Sequence, residues 1–300
     1  MCPSDDPVEV AMGGLIGLQT VKNQIRGLRR TLEVEAAAGA GANANRVFSM
    51  HMAFVGNPGT GKSTVARKMV NMLYEMGAVK TRNFMQVCRD DFIDRKSEAR
   101  TVFKTRRVLE QAAGGVLVVD EAYTLLPSAA RPRGRDHGAA ALRELARTLP
   151  TGNPLVILTG TPLDLQRVLS SDIGFKGHFL TRIEFPDPTA EQIARIFMAK
   201  LSEKGLVAGE GVTVEYLADL ITQNTDAEFR SERNGRIADL LITGVRGEIR
   251  KRVVWDDAAS RGTLSPIKIL SPGTSRMPVF SPEEVFVTVE DVQNTIVNGM

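Results

Sequence analysis

Apolar residues in the first 190 positions recur with two periods, and the alternation between them predicts strands separated by helices. Helical spacing is clear between Val65 and Glu75. Apolar runs typical of buried strands occur at Met52–Val55, Phe84–Cys88, Val116–Val119, Leu155–Thr159 and Arg182–Phe185. Strands that alternate with helices predict a doubly wound α/β fold, in which helices flank a parallel sheet.

The pattern becomes mainly helical after the proline-rich segment at 186–188. Thr189, followed three residues later by Gln192, predicts a capping box that opens a helix over Ala190–Lys204. Further helical spacing occurs over Val214–Thr222, Gly235–Trp255 and Val289–Val297.

These changes of pattern divide the chain into three predicted parts. They are a leader over residues 1–9, an α/β nucleotide-binding domain over 10–187 and a small helical lid over 188–300. Within the lid, the stretch at 262–282 is rich in Pro, Ser and Gly and predicts a long loop.

The turn after the first apolar run carries the clearest chemical signal. Gly56–Ser63 fits the phosphate-loop pattern G-x-x-x-x-G-K-[ST], with a strand before it and a helix after it. Backbone N–H groups of such a loop face one anion, and the helix N-terminus adds partial positive charge. Lys62 is expected to reach the β- and γ-phosphates, and Ser63 to ligate Mg²⁺. The predicted nucleotide contacts are Asn57, Pro58, Gly59, Thr60, Gly61, Lys62, Ser63 and Thr64.

Two carboxylates end the third apolar run and predict the other half of this site. Asp120 is expected to hold Mg²⁺ through water, and Glu121 to polarise the attacking water. The alternatives are an acidic strand end that meets solvent and a glycine-rich turn that binds nothing. The occurrence of both motifs in one chain, in the expected order, favours a nucleotide-hydrolysing site.

Composition narrows the class of protein and its compartment. The chain has 300 residues, 43% of them hydrophobic, and a net charge of +3. So small a charge does not by itself indicate a nucleic-acid partner. Cys2 and Cys88 are the only cysteines, too few for a disulfide framework or a zinc site. With neither a signal-peptide core nor a membrane-spanning run, we expect a cytoplasmic protein, or a plastid protein whose transit peptide has been removed.

Beyond the two nucleotide motifs, residues 13–255 resemble the CbbX/CfxQ family of AAA+ ATPases, which includes red-type Rubisco activases. The matching segments are Leu15–Leu18 with Val21–Lys22, Ser49–Lys62, Arg89–Asp91, Lys104–Thr105, Gly115–Tyr123, Arg135–Gly138, Val156–Gly160, Ile183–Asp187 and Asn234–Arg236. The resemblance implies an AAA+ P-loop NTPase fold and ATP with Mg²⁺ as cofactors. It also implies a ring of subunits, of one or more kinds, that remodels a protein partner, with Rubisco as one candidate.

The resemblance also implies roles for residues outside the two nucleotide motifs. Ile16 and Gly17 are expected to touch adenine, and Arg236 to act as the sensor-2 arginine that links the lid to the γ-phosphate. Thr161 lies where a sensor-1 polar residue is expected after the fourth strand, and Thr159 competes for that role. A helix-surface arginine is the alternative for Arg236.

Two segments depart from the family pattern, and both concern work rather than nucleotide binding. Family pore loops carry an aromatic residue, which grips a threaded peptide through its contact area. The equivalent segment here, Asp94–Thr101, is charged and has no aromatic residue. The family segment GFRSRF supplies an arginine to the neighbouring subunit, whereas here Gly174–Phe179 reads GFKGHF. Lys176 lacks the planar fork of arginine, and Arg182 is a nearby substitute.

Three functions follow as hypotheses. The first is an ATP-hydrolysing remodeller of the CbbX/CfxQ type, which the intact Lys62 and Glu121 favour. The second is a hydrolysis-impaired regulatory or scaffold subunit of a mixed ring, which the altered pore segment and missing arginines favour. The third, a DNA-acting ATPase, rests only on mild basicity and has the weakest support.

Overall fold

The computed structural model describes residues 9, 12–38, 50–126, 136–171, 173–260 and 286–299. The chain divides into two compact units, Met1–Asp187 and Pro188–Met300. The predicted loop at 262–282, residues 1–8 of the predicted leader and Arg135 lie outside the described residues.

The first unit is built on a five-stranded parallel sheet, as the sequence predicts. Its strands are β1 (Met52–Val55), β2 (Phe84–Val87), β3 (Val116–Val119), β4 (Leu155–Gly160) and β5 (Thr181–Glu184). The spatial order is β2-β3-β4-β1-β5, with all neighbours parallel. This order places the carboxyl ends of β1 and β3 on either side of β4, where ligands bind in open α/β sheets.

Helices cover both faces of the sheet. The helices of this unit are α1 (Gln19–Ala38), α2 (Lys62–Glu75), α3 (Arg89–Phe92), α4 (Glu98–Gln111), α5 (Gly138–Thr148), α6 (Pro162–Ser170) and α7 (Ile173–His178). Successive strand residues point to opposite faces. Phe54 and Val118 therefore pack in the core beneath α1 and α2, while Val55 and Val119 pack in the core beneath α4 to α7.

The second unit is mainly helical. It contains α8 (Ala190–Glu203), α9 (Val214–Asn224), α10 (Ala227–Arg233), α11 (Arg236–Ser260) and α12 (Val289–Gly299). The predicted capping box is present at the start of α8, where the Thr189 side chain accepts from the backbone of Gln192. The unit also contains a pair of two-residue parallel strands that the sequence did not predict, β6 (Val207–Ala208) and β7 (Phe286–Val287).

Several element bounds differ from the sequence predictions for local reasons. Helix α4 begins at Glu98, four residues before the apolar pattern starts, because Ser97 caps it by accepting from the Arg100 N–H. Residues 98–101 of the segment equivalent to a pore loop are therefore helical. The short helices α3, α6, α7 and α10 were not predicted, and α3, α7 and α10 are too short to show a helical period.

Candidate functional site

Gly56–Ser63 forms the turn between β1 and α2. Gly56 continues the strand pairing by donating to the Gly160 carbonyl at 3.0 Å. A Cβ at Gly56 would lie 2.5 Å from the Phe185 carbonyl oxygen, so only glycine fits this approach. Gly59 and Gly61 have positive φ angles of 77° and 92°, which glycine adopts without strain. The glycines thus allow the chain to curl at the N-terminus of α2.

Lys62 lies within this curl. Its ammonium group donates to the carbonyl oxygens of Gly56 at 2.8 Å and Asn57 at 2.7 Å, and the residue is only 9% exposed. Gly61, the N-cap of α2, provides no side-chain cap. A buried cation beside a helix N-terminus is an arrangement that suits a phosphate group.

The turn before α1 lies against the same loop. Gly17 and Leu18 both have positive φ angles, 66° and 55°, and the Lys22 ammonium holds the turn by donating to the Leu15 carbonyl at 2.7 Å. A Cβ at Gly61 would lie 3.6 Å from Leu18 Cδ1, so Leu18 borders the phosphate loop. Ile16 and Gly17 are half-buried next to it in sequence. This places the predicted adenine-binding turn beside the loop.

The start of α2 and the end of β3 meet through a side chain that the sequence motifs do not include. The Gln86 amide donates to Ser63 Oγ at 3.2 Å and to Asp120 Oδ2 at 3.0 Å. Ser63 and Asp120, the two predicted metal-binding residues, therefore face one another across one amide group. A single glutamine on a strand has no motif signal, so sequence reasoning missed Gln86.

The other oxygen of Asp120 is bound by Thr159 rather than Thr161. The buried Thr159 hydroxyl donates to Asp120 Oδ1 at 2.5 Å and accepts from the Glu121 N–H at 3.2 Å. Thr161 instead caps α6, where its oxygen accepts from the Asp164 N–H and its hydroxyl donates to the Asp164 carboxylate at 2.7 Å. Of the two competing threonines, Thr159 is the one in contact with the acidic pair.

Glu121 is exposed and has a left-handed backbone, with φ 49° and ψ 51°. This conformation is costly for a residue with a Cβ, and such strain tends to occur at functional sites. Tyr123 lies close to Glu121. Partial burial, followed by the negative charges of Glu121 and Asp164, raises the pKa of the Tyr123 hydroxyl. The tyrosine therefore stays a neutral hydrogen-bond donor at physiological pH.

Asn57 connects the phosphate loop to the last residue of the first unit. Its side-chain amide donates to both carboxylate oxygens of Asp187, at 3.1 and 3.0 Å. Thr60 closes the loop internally, since its hydroxyl donates to the Asn57 carbonyl at 2.8 Å. Pro58 is half-buried and Thr64 is exposed.

The segment that replaces the arginine-bearing family segment is anchored by its aromatic residues. Phe175 and Phe179 are 1% and 5% exposed and stack in the core. Lys176 is exposed on α7, whereas His178 is half-buried with its ring 6.2 Å from that of His51. Arg182, on the edge strand β5, forms an ion pair with Glu184 at 3.3 Å. Because Arg182 is engaged in this ion pair, Lys176 is the more available of these two side chains for a contact with another molecule.

The charged segment 94–97 is a short loop held by hydrogen bonds between Asp94 and Thr101. The Asp94 N–H donates to Thr101 Oγ1 at 2.9 Å, and the Thr101 hydroxyl donates back to the Asp94 carbonyl at 3.1 Å. Arg95 and Lys96 are exposed at its tip. Arg236, in the second unit, is the exposed first residue of α11.

The residues present suit a nucleotide with a divalent cation. Ser63 Oγ and Asp120 Oδ2 both accept from the Gln86 amide, and hydroxyl and carboxylate oxygens are ligand types that a small hard cation such as Mg²⁺ takes. The glycine curl and the buried Lys62 beside them match a polyphosphate. Within the described ranges, no helix combines the length and apolar character needed to cross a bilayer.

Comparison with known proteins gives consistent matches. Residues 52–186 match the model of the ATPase family associated with various cellular activities (AAA). The chain is 38% identical over 252 residues to the protein CbbX of Cereibacter sphaeroides, covering 80% of each chain. It is 35% identical over 226 residues to the chloroplastic ribulose bisphosphate carboxylase/oxygenase activase of Cyanidioschyzon merolae, covering 73% of this chain and 75% of the relative.

A third relative and a solved structure extend the comparison. The chromosomal protein CbxX of Cupriavidus necator is 36% identical over 226 residues, with 73% of this chain and 70% of the relative covered. A chain from a structure described as "Structural Basis for Katanin Self-Assembly" superposes with a TM-score of 0.54 at 17% identity, covering 98% of this chain and 91% of the other. At that identity the likeness concerns the fold.

Proposed function

The chain belongs to the CbbX/CfxQ family of AAA+ ATPases, and we propose that it remodels a protein partner as a ring driven by ATP hydrolysis. The observation that carries the ATP-hydrolysing part of the proposal is the convergence of Ser63 and Asp120 on one amide beside the curled phosphate loop. The ring and the protein partner rest on the family resemblance. The Walker lysine Lys62 and the glutamate Glu121 provide for binding and hydrolysis.

Each residue of the site has a chemical task in this account. Lys62 and the N–H groups of 57–64 bind the phosphates, and Ser63 and Asp120 hold Mg²⁺, which neutralises charge developing on the phosphates. Glu121 orients the attacking water. Ile16 and Gly17 border the adenine, and Arg236 contributes a cation from the lid. We assign the sensor-1 role to Thr159, because its hydroxyl touches Asp120 whereas that of Thr161 caps a helix.

The neighbouring subunit completes the site in this proposal. Lys176 is exposed on α7 where the family places an arginine, so it is our candidate for the cation supplied in trans. An ammonium group offers charge without the planar fork, so we expect slow turnover.

A second function has specific support. The loop tip at Arg95 and Lys96 offers charge in place of an aromatic grip. Together with Lys176, this favours a subunit that binds ATP and assembles but hydrolyses slowly without a different partner subunit. Rubisco is a candidate substrate because a relative is named as its activase.

Sedimentation velocity with and without ATP, combined with a measurement of ATP turnover, separates the two functions. The wild-type protein and the Glu121→Gln variant are both expected to form rings in the presence of ATP, and Lys62→Ala to form none. Adding wild-type protein and MgATP to inactive Rubisco is expected to restore carboxylation if Rubisco is the partner. ATP-dependent rings with no measurable turnover would instead support the scaffold function.

A further inference from the structure

Gln86 holds a position that links three elements of the nucleotide site. On β2, Phe84 and Gln86 are two residues apart and therefore lie on the same face of the sheet, the face covered by α2. Gln86 pairs in register with Val118 of β3. Asp120 follows Val118 by two residues, so it lies on the same face. The Asp120 N–H donates to the Val87 carbonyl at 2.8 Å and so extends the pairing past the end of β3. The register therefore makes Gln86 and Asp120 diagonal neighbours.

Helix α2 is fixed to the same strand one turn further along. The Arg67 guanidinium lies over the Phe84 ring, 4.4 Å from its centroid. Ser63 precedes Arg67 by four residues and therefore lies on the same side of α2. The pair Arg67–Phe84 thus positions α2 so that Ser63 meets Gln86.

We infer that Gln86 is a positioning residue for the metal, a role that rests on the proposed function of the site. Its amide donates to Ser63 Oγ and to Asp120 Oδ2, the two oxygens assigned to the cation. An amide N–H₂ can bridge two acceptors, as a cation does, although far more weakly. Before the metal binds, Gln86 therefore keeps the hydroxyl and the carboxylate facing each other.

The charge of Asp120 fixes the direction of the amide. The carboxylate accepts and cannot donate, so the N–H₂ end of Gln86 must face it. Thr159 holds the opposite carboxylate oxygen at 2.5 Å. Asp120 is consequently held from both sides, and groups that orient ligands in this way typically contribute 10- to 100-fold, as order-of-magnitude values, in metal affinity or activity.

The test compares nucleotide affinity with and without metal. Isothermal titration calorimetry with the non-hydrolysable analogue AMP-PNP, in EDTA and in excess Mg²⁺, gives the gain in affinity that the metal provides. For Gln86→Leu we expect affinity in EDTA to remain and the gain from Mg²⁺ to fall by about tenfold. Gln111→Leu, the same change at an exposed residue that ends α4, is the matched control and should keep the full gain.

A second variant guards against misfolding of the first. In Gln86→Lys an ammonium group replaces the neutral donor, so we expect tighter binding in EDTA and a smaller gain from Mg²⁺. An undiminished gain in both Gln86 variants would overturn the positioning role while leaving the proposed ATP site intact. If wild-type protein bound AMP-PNP with no gain from Mg²⁺, the proposed metal site itself would fail, and the role of Gln86 with it.

Discussion

The hydroxyl of Thr159 donates to Asp120 Oδ1 at 2.5 Å, and the same oxygen accepts from the Glu121 N–H at 3.2 Å. One buried side chain at the end of β4 therefore touches both acidic residues at the end of β3. Because Glu121 has a left-handed backbone, the bond from its N–H helps to hold a conformation that is otherwise costly. The central strand thus carries a polar contact that organises the acidic pair.

Replacing Thr159 by valine should slow hydrolysis more than it weakens binding. The isosteric side chain removes the donor to Asp120 and the acceptor for the Glu121 N–H. We expect kcat to fall about 10- to 100-fold with a smaller change in nucleotide affinity. Steady-state turnover and AMP-PNP affinity of Thr159→Val provide the measurement. A kcat within about twofold of wild type would contradict the role of Thr159.

Thr161→Ala is the matched variant at the competing threonine. Loss of the α6 cap should lower the free energy of unfolding by about 1 kcal/mol. Urea denaturation checks the stability, and turnover per folded molecule should stay closer to wild type than in Thr159→Val. The reverse ranking of the two turnovers would return the sensor-1 role to Thr161.

Restoring arginine at position 176 should accelerate ATP hydrolysis. Lys176 is exposed on α7, and its flanking phenylalanines anchor the segment, so the change should leave the fold intact. An arginine supplied in trans is worth ~10³-fold in related phosphoryl transfers. For Lys176→Arg we expect a rise of about tenfold or more in turnover at ring-forming concentrations, and a fall for Lys176→Gln. Equal turnover in all three proteins would direct attention to Arg182.

Acidification should destabilise the first unit through His51. Burial lowers the pKa of His51, the bond to the Leu149 carbonyl partly offsets this, and the charge of His178 lowers it further. Nδ1 accepts from the Val156 N–H at 2.8 Å, so the neutral ring protonated on Nε2 fits the site. Below about pH 6.5 the unfolded chain binds a proton that the folded chain rejects.

The free energy of unfolding should therefore fall as the pH drops below about 6.5, by up to about 1.4 kcal/mol per pH unit for this one group. Urea denaturation at a series of pH values between about 5 and 7 measures the slope, which is how steeply the free energy of unfolding changes with pH. His51→Gln should flatten it, and His137→Gln, which changes a histidine just before α5, should not. An unchanged slope in His51→Gln would exclude this source of acid sensitivity.

Two glycines should respond to alanine in opposite directions. A Cβ at Gly56 would lie 2.5 Å from the Phe185 carbonyl oxygen, so Gly56→Ala should cost about 1–3 kcal/mol and weaken ATP binding. Gly27 is in the interior of α1 with nothing within 4 Å of its added Cβ, so Gly27→Ala should stabilise by about 0.5–1 kcal/mol. Thermal denaturation and ATP affinity distinguish the two variants. Destabilisation by Gly27→Ala would contradict the placement of Gly27 in a helix interior with open space around it.

The sheet and the phosphate loop were predictable because strong local signals agree with the fold. Buried runs such as Val116–Val119 and the glycine pattern after β1 leave few alternatives, and the structure confirms a parallel sheet flanked by helices. The capping box at Thr189 was equally readable. These signals are local, so a single sequence carries them.

The remaining features depend on contacts between distant residues. Gln86 matters only because the β2–β3 register brings it to Asp120, 34 residues away in sequence. The choice between Thr159 and Thr161 likewise depends on where β4 ends, because Thr159 lies within the strand beside β3 whereas Thr161 lies beyond its last residue and caps α6. The early start of α4 is an exception, because Ser97 followed by Glu98 is a readable cap signal that the apolar spacing concealed.

Turnover of MgATP as a function of protein concentration shows whether the protein hydrolyses ATP as a ring that completes its own sites. A self-completing ring predicts specific turnover that rises with concentration and vanishes in both Lys62→Ala and Glu121→Gln, with Glu121→Gln still binding ATP. ATP binding that Lys62→Ala abolishes, with no turnover by wild-type protein at any concentration, would contradict an autonomous motor.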